Sequence, residues 1–307
     1  MEALPSREGI GCDRAWAART ALVLAALAAF LPAIPGWALA YRYGRIPRWP
    51  VATLESRHET GPGAPPLLGA SAVAEAPDGT LFVSDRVHRH VVAIPPAGSP
   101  RWLPPVGRFE VGVDPAGRLH LLDVDAGVLF RFSASGSLER RLAVAGPGSS
   151  PVFCIAPDGR VLVAVAGTVR RLSEGLDAVD ASWGASVGAG RDAEVVALAA
   201  SAERVYAVSR SGLLSLFSAG GDLAGRRRLL GNAGPIAVAR DGRLILADRS
   251  NGRLFVLDAE GRTVARLVVG DGTAPVTNAG GLALVRGGRL AVAAGRSVEL
   301  LSLPGLP

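Results

Sequence analysis

Short apolar runs of strand length, separated by turn formers, recur from Val51 almost to the end of the chain. The pattern is clearest between Gly234 and Gly270. Ile236–Ala239 is apolar, Asp241-Gly242 supplies a tight turn, and Arg243–Ala247 is apolar on both faces, as a strand covered on both sides requires. Ser250-Asn251-Gly252 makes the next turn, because Asn and Gly adopt positive φ at little steric cost. Leu254–Leu257, the turn Glu260-Gly261 and Thr263–Val268 complete a meander of four short strands. One such meander cannot bury both of its faces, so the pattern predicts neighbours of its own kind.

Those neighbours are present. Ser71–Ile94 contains APDGTLFVSD, Gly112–Phe132 contains DPAGRLHLLD, and Phe153–Leu172 contains APDGRVLVAV. Val195–Phe217 contains ASAERVYAVS, Ile236–Leu257 follows ARDGRLILAD, and Leu282–Leu301 follows VRGGRLAVAA. Aligned on the first turn, these units recur about every 38–45 residues, the period of propeller blades. Helical repeats are excluded by the shortness of each apolar run and the turn formers that bound it. Radial four-stranded sheets also solve the edge problem that an open array of hairpins would leave. The sixth unit ends without a clear fourth strand, and Val51–Leu54, ahead of the first unit, is the expected donor of one, closing the ring.

The unit resembles the NHL repeat, best in IAVARDGRLILADRSNGRLFVLDAEGRTVARL at 236–267 and more loosely at 72–85 and 112–123. The resemblance implies an all-β fold, a six-bladed β-propeller of four-stranded blades over 67–307. It is weak about function, because this scaffold hosts several. The third, fourth and sixth units depart from the pattern: they lack the Asp that ends the second strand at Asp85, Asp123 and Asp248.

Ahead of the repeats, a tail at 1–19 leads into Thr20–Tyr41, which carries no charge and is long enough to span a bilayer as a helix. Arg14 and Arg19 precede it, Arg42, Arg45 and Arg48 follow, and Trp16, Trp37, Tyr41 and Tyr43 sit where interfacial aromatic belts would. Two readings stand: a transmembrane anchor, which is preferred, and a signal peptide cleaved near Ala40. In both, the propeller is expected outside the cytoplasm, membrane-anchored in the first and secreted or periplasmic in the second. Residues 42–66 form a juxtamembrane linker.

Composition adds little beyond this. The formal charge is +6 and the pI about 10.4, and every one of the 33 basic residues is Arg. The charge is spread along the chain and permits an acidic partner without demanding one. Two cysteines, Cys12 and Cys154, support neither a disulfide framework nor a cysteine zinc site.

In a blade of this kind the turns after the second strand gather around one mouth of the central channel. They bring Asp85, His88, His90, Asp123, Asp125, Arg210, Asp248, Arg249, Asn251 and Arg296 toward one face, and the loops between blades add Arg108, Glu110, Arg191, Asp192, Asp271 and Asn278. This is the expected ligand-binding face, with Asp85, His88, His90, Asp123, Asp125, Arg210, Asp248, Arg249, Asn251 and Asn278 as the leading candidates. Asp85, Asp123 and Asp248 have a structural reading that outweighs the functional one: a carboxylate before a turn accepts backbone N–H bonds and holds the loop.

No catalytic constellation is legible. Propeller hydrolases of the gluconolactonase group, which the fold resembles, use Glu, Asn and Asp around a divalent ion. That trio has no counterpart motif among Asn232, Asn251 and Asn278. The amidating lyases that share the repeat bind zinc through histidines from separate blades, whereas the histidines here are His58, His88, His90 and His120. The expected function is therefore a non-catalytic, membrane-tethered or exported propeller that binds a protein, peptide or glycan, with no cofactor and no nucleic-acid partner. The alternative is a metal-dependent hydrolase or lyase.

Overall fold

The computed structural model describes residues 52–58, 66–103, 107–229, 231–267, 269, 279–303 and 305. The tail 1–19, the apolar segment 20–41 and the candidate Asn278 lie outside the described residues. Two compact units, Met1–Ile46 and Pro47–Pro307, divide the chain, and every described residue belongs to the second. Among the described residues no helix is long and apolar enough to cross a membrane.

Six four-stranded antiparallel sheets make up the second unit. Blade I holds β2 (Ala70–Glu75), β3 (Leu81–Asp85), β4 (His90–Ile94) and β5 (Arg101–Leu103). Blade II holds β6 (Phe109–Val113), β7 (Leu119–Asp123), β8 (Val128–Phe132) and β9 (Leu138–Ala143). Blade III holds β10 (Val152–Ile155), β11 (Val161–Val165), β12 (Thr168–Leu172) and β13 (Val179–Ser186). Blade IV holds β14 (Val195–Ala200), β15 (Arg204–Ser209), β16 (Leu213–Ser218) and β17 (Leu223–Arg228). Blade V holds β18 (Ala233–Val238), β19 (Leu244–Asp248), β20 (Arg253–Leu257) and β21 (Thr263–Leu267). Blade VI holds β22 (Ala279–Val285), β23 (Arg289–Ala294) and β24 (Ser297–Ser302), and takes its outer strand from β1 (Thr53–His58).

Each inner strand touches the inner strand of the next blade, β22 touching β2 and so closing the ring. β1 pairs antiparallel with β24, starts two residues later than Val51 and runs on to His58. Its register is pinned by Arg57, directly opposite Glu299 and ion-paired to it at 2.7 Å.

The core lies between blades. Second strands are buried on both faces: Leu244, Ile245, Leu246 and Ala247 are all 2% exposed or less. This is the environment that their unbroken apolar runs require. Near the axis, adjacent inner strands approach so closely that side chains must vanish. A Cβ on Gly281 of β22 would come within 2.6 Å of the Ala72 backbone on β2.

Candidate functional site

The carboxylates that end second strands hold the loops that follow them. Asp85 is fully buried and accepts N–H bonds from Leu68 (2.8 Å), Val87 (2.9 Å) and His88 (3.1 Å), and a contact of 3.0 Å from His88 Nδ1. Burial raises its pKa, but these bonds from Leu68, His88 and Val87 outweigh burial and hold the group below the usual carboxylate range. Asp248 accepts from the N–H groups of Asn232 (3.1 Å) and Ser250 (2.9 Å) and from Ser250 Oγ (2.6 Å). Asp123 accepts from the N–H groups of Asp125 and Ala126, both at 3.0 Å. In blade IV, Ser209 stands in for the Asp and its Oγ accepts the Leu213 N–H at 3.1 Å.

Other candidates take similar work. Asn251 accepts the Arg253 N–H at 3.0 Å. Asp125 bridges Arg108 (2.9 Å) and Arg89 (3.3 Å). His88 and His90 both stand edge-on to Trp102, with centroids 5.3 and 4.8 Å away. These side chains stabilise the loop face, but none of them lines the central cavity.

That cavity is the candidate site. It occupies about 1000 Å³ at the channel mouth on the loop face. Strand register explains which residues reach it. Ala70, Phe109, Val195, Ala233 and Ala279 lie opposite the last residues of their second strands, Asp85, Asp123, Ser209, Asp248 and Ala294. The residue that follows each second strand turns inward at the same level. In blade order these are Arg86, Val124, Ala166, Arg210, Arg249 and Gly295, and all six line the cavity. In blades I, II, IV and V this residue donates its N–H to the carbonyl just ahead of the inner strand, which fixes the equivalence.

A second set lies at the mouth ends of the inner strands, one residue past the first in five blades and at the first residue of β10 in blade III: Ser71, Glu110, Val152, Val196, Gly234 and Gly280. Glu110 is the only ionisable member. At Gly234 the missing side chain leaves room for Arg249, whose Cγ lies 2.9 Å from where a Cβ would stand. Arg86 lies over Gly69 in the same way, its Cγ 3.0 Å from the corresponding position.

The charged residues on the cavity wall are Arg86, Arg108, Arg210 and Arg249 against Glu110 and Glu194. Arg210 is spoken for by Glu194 at 2.5 Å, and Arg108 by Asp125. Burial pushes the half-buried Glu110 carboxyl from 4.5 up to about 7, with Arg249 and Arg108 opposing the shift. Burial lowers the Arg249 pKa; Glu110 opposes this, while the charges of Arg210 and Arg86 add to it. Three arginines from three blades thus feel one another across a shared space. Arg210 and Arg249 were among the sequence candidates. Glu110 belongs only to the wider loop set; Arg86 stands in neither set, although it opens the Arg86–His90 loop, where the sequence departs from the shared blade pattern and function is most expected. The signal for Arg86 was available: Arg follows the decamer at the same place in three copies, at 86, 210 and 249.

Among the described residues the cavity wall carries two carboxylates, Glu110 and Glu194, the second ion-paired to Arg210. Among the described residues no group of three or more His, Cys, Asp or Glu side chains is gathered as an ion would need. His120 lies in β7, 1% exposed, with Nε2 3.1 Å from Asp114 Oδ2. Burial lowers its pKa and Asp114 opposes the shift, leaving a neutral ring locked inside blade II. Cys154, in β10, has its thiol pushed up to about 12 by burial, which makes it a packing residue.

No family model and no curated protein sequence matches this chain. Solved structures do. A gluconolactonase from Xanthomonas campestris superposes with a TM-score of 0.62 at 19% identity, covering 84% of this chain and 99% of that one. Virginiamycin B lyase from Staphylococcus aureus gives 0.62 at 10% identity, covering 81% and 98%. A streptogramin B lyase gives 0.58 at 9% identity, covering 81% and 97%. At such identities the likeness shows the fold, a six-bladed propeller with four-stranded blades, and leaves function to the site.

Proposed function

We propose that this chain is a non-catalytic binding propeller of the NHL type that takes a protein, peptide or glycan ligand at the channel mouth on its loop face. The observation that carries this reading is the cavity of about 1000 Å³ lined by six equivalent residues. It is a concave, partly polar recess on a rigid ring, the setting in which a ligand group is held without reorganising the scaffold. The loop-holding roles of Asp85, Asp123 and Asp248 support it, since these carboxylates build the rim and are not free to perform chemistry there. The NHL assignment rests on the repeated decamers, and the tethered, extracytoplasmic placement rests on the uncharged segment 20–41.

Nucleic acid is not the proposed partner. The most basic run, Arg226–Arg228, donates to the carbonyls of Val187, Glu260 and Ser211, so it fastens blade IV to blades III and V and to its own inner loop. The second reading, a metal-dependent hydrolase or lyase, is favoured by the enzymes among the structural neighbours. The donor set of the described residues speaks against it.

The test is a selection of displayed peptides and arrayed glycans on the full-length chain in detergent, repeated with Val124→Trp, which fills the mouth. The expected result is at least one ligand whose retention falls tenfold or more in the filled variant. Ligands that bind both proteins equally, or a lactone turned over with stoichiometric bound metal, would overturn the reading.

A further inference from the structure

We infer that the channel mouth is a carboxylate receptor, in which Arg86 and Arg249 grip an anionic group of the ligand and Glu110 shares a hydrogen bond with it. The inference deepens the binding reading and rests on it. Its basis is the division of labour among the charged residues of one cavity. Arg210 and Arg108 already have carboxylate partners in Glu194 and Asp125. Arg86 and Arg249 have no side-chain hydrogen bond or ion pair among the described residues, and both open onto the cavity. Each lies over a glycine, Gly69 and Gly234, in the space a side chain would have taken. A guanidinium in that position presents its planar fork to whatever occupies the mouth, and a carboxylate is the group that matches the fork in shape and charge.

Glu110 distinguishes this mouth from a plain cationic patch. Its counterparts on the cavity wall are Ser71, Val152, Val196 and Gly280, so one acidic group stands in a wall that is otherwise small or apolar at that level. Arg249 after β19 and Arg108 just ahead of β6 act on its charge, and Arg86 after β3 and the Arg210–Glu194 pair of blade IV line the same cavity. With burial raising its pKa to about 7, Glu110 is neutral and able to donate in mildly acidic solution and anionic above neutrality. Ligand carboxylate and Glu110 therefore share one proton in the bound state, as two carboxyl groups in a confined site do. Binding takes up a proton when Glu110 starts ionised, so affinity falls as pH rises through 7. The same chemistry is offered by a free organic acid and by the acidic side chains of a peptide.

Calorimetry on the full-length chain in detergent tests this with succinate and with a capped hexaglutamate peptide, at pH 6.5 and 8.5, where both probes are largely ionised. Binding of either probe is expected, weaker at pH 8.5 by about tenfold. Glu110→Gln should bind with nearly the same affinity at both pH values. Arg86→Gln and Arg249→Gln should each weaken binding about tenfold while thermal unfolding stays within a few degrees of the parent. Tighter binding of succinate identifies a free acid as the ligand class, and tighter binding of hexaglutamate identifies an acidic segment. Binding that ignores both arginine substitutions, or that has the same pH dependence in Glu110→Gln, overturns the inference. If neither probe binds but displayed ligands lacking carboxylates are lost in Val124→Trp, the carboxylate assignment fails and the binding reading stands. If no ligand of any kind depends on the mouth, both fail.

Discussion

Asp85 shows what one side chain can carry in this molecule. Three backbone N–H groups and an imidazole converge on a carboxylate with no exposed surface. Asp85→Ala leaves the Leu68, Val87 and His88 donors without their acceptor, at about 1–3 kcal/mol for each that water does not reach. A loss of about 3 kcal/mol in urea unfolding at pH 7 is the expected result, against less than about 1 kcal/mol for Asp158→Ala, whose exposed carboxylate accepts one backbone bond, from Arg160. Because Asp85 titrates below its ordinary range, its contribution is complete above the unfolded value and disappears as pH falls through the folded one. Glu110 has the opposite sign. Its folded pKa lies above its unfolded value, so the stability it contributes is complete below about 4.5 and is lost as pH rises to about 7. Glu110→Gln should therefore gain stability relative to the parent across that window, by at most about 1.4 kcal/mol per pH unit, and hold the gain at higher pH. An unchanged difference between pH 4 and pH 8 would show that the carboxyl is not buried as described.

At the scale of the element, the strand meander of 234–270 was legible in full. β19, β20 and β21 fall within one residue of the expected bounds at their starts and ends, while β18 begins three residues early at Ala233. That difference has a cause: the register of β18 on β19 shifts between Ala233 and Ile236, so the strand reaches past a Gly-Pro pair that sequence pattern treats as a breaker. The same irregularity sits at the mouth end of β2, β14 and β22. It is not seen in β6, whose pairing is regular through Phe109 and Glu110. Glu110 thus stands on the inner strand of a blade whose mouth end keeps its pleat, while its counterparts in those four blades stand at bulges. A local reading of apolar alternation cannot see this, because a bulge is defined by the partner strand.

For the whole molecule, β1 is the element on which closure depends. It covers the edge of β24, places Arg57 against Glu299, and is preceded by Ala52, which is fully buried among blades V and VI. Deleting residues 52–58 removes the strand pairing that joins the two ends of the propeller and leaves an unpaired edge at Val298–Ser302. The expected consequence is a thermal midpoint lower by on the order of 10 °C, together with concentration-dependent association as exposed edges pair. A midpoint within 2 °C of the parent would mean that blade VI is stable with three strands. The arginine-rich outer edge also makes sense at this scale. Arg226 and Arg227 reach carbonyls of the neighbouring blades, so part of the chain's positive charge serves to tie sheets together.

The amino-acid sequence alone determined the six repeats, the order of strands within each blade and the face on which the turns after the second strands gather. These follow from apolar alternation and turn residues, which act within about ten residues of one another. It also determined the loop-holding role of Asp85, Asp123 and Asp248 toward the turn that follows each, because those donors lie two or three residues on, whereas the Leu68 and Asn232 donors come from the inner-strand side of the blade. Only the tertiary structure decided which charged residues meet. Arg86, Glu110, Arg210 and Arg249 come from blades I, II, IV and V; the shared place of the three arginines after the decamer is visible in the sequence, but that they line one cavity with Glu110 is not. The ionisation of Glu110 was likewise decided there, since a carboxyl loses its hydration only when surfaces distant in sequence close around it.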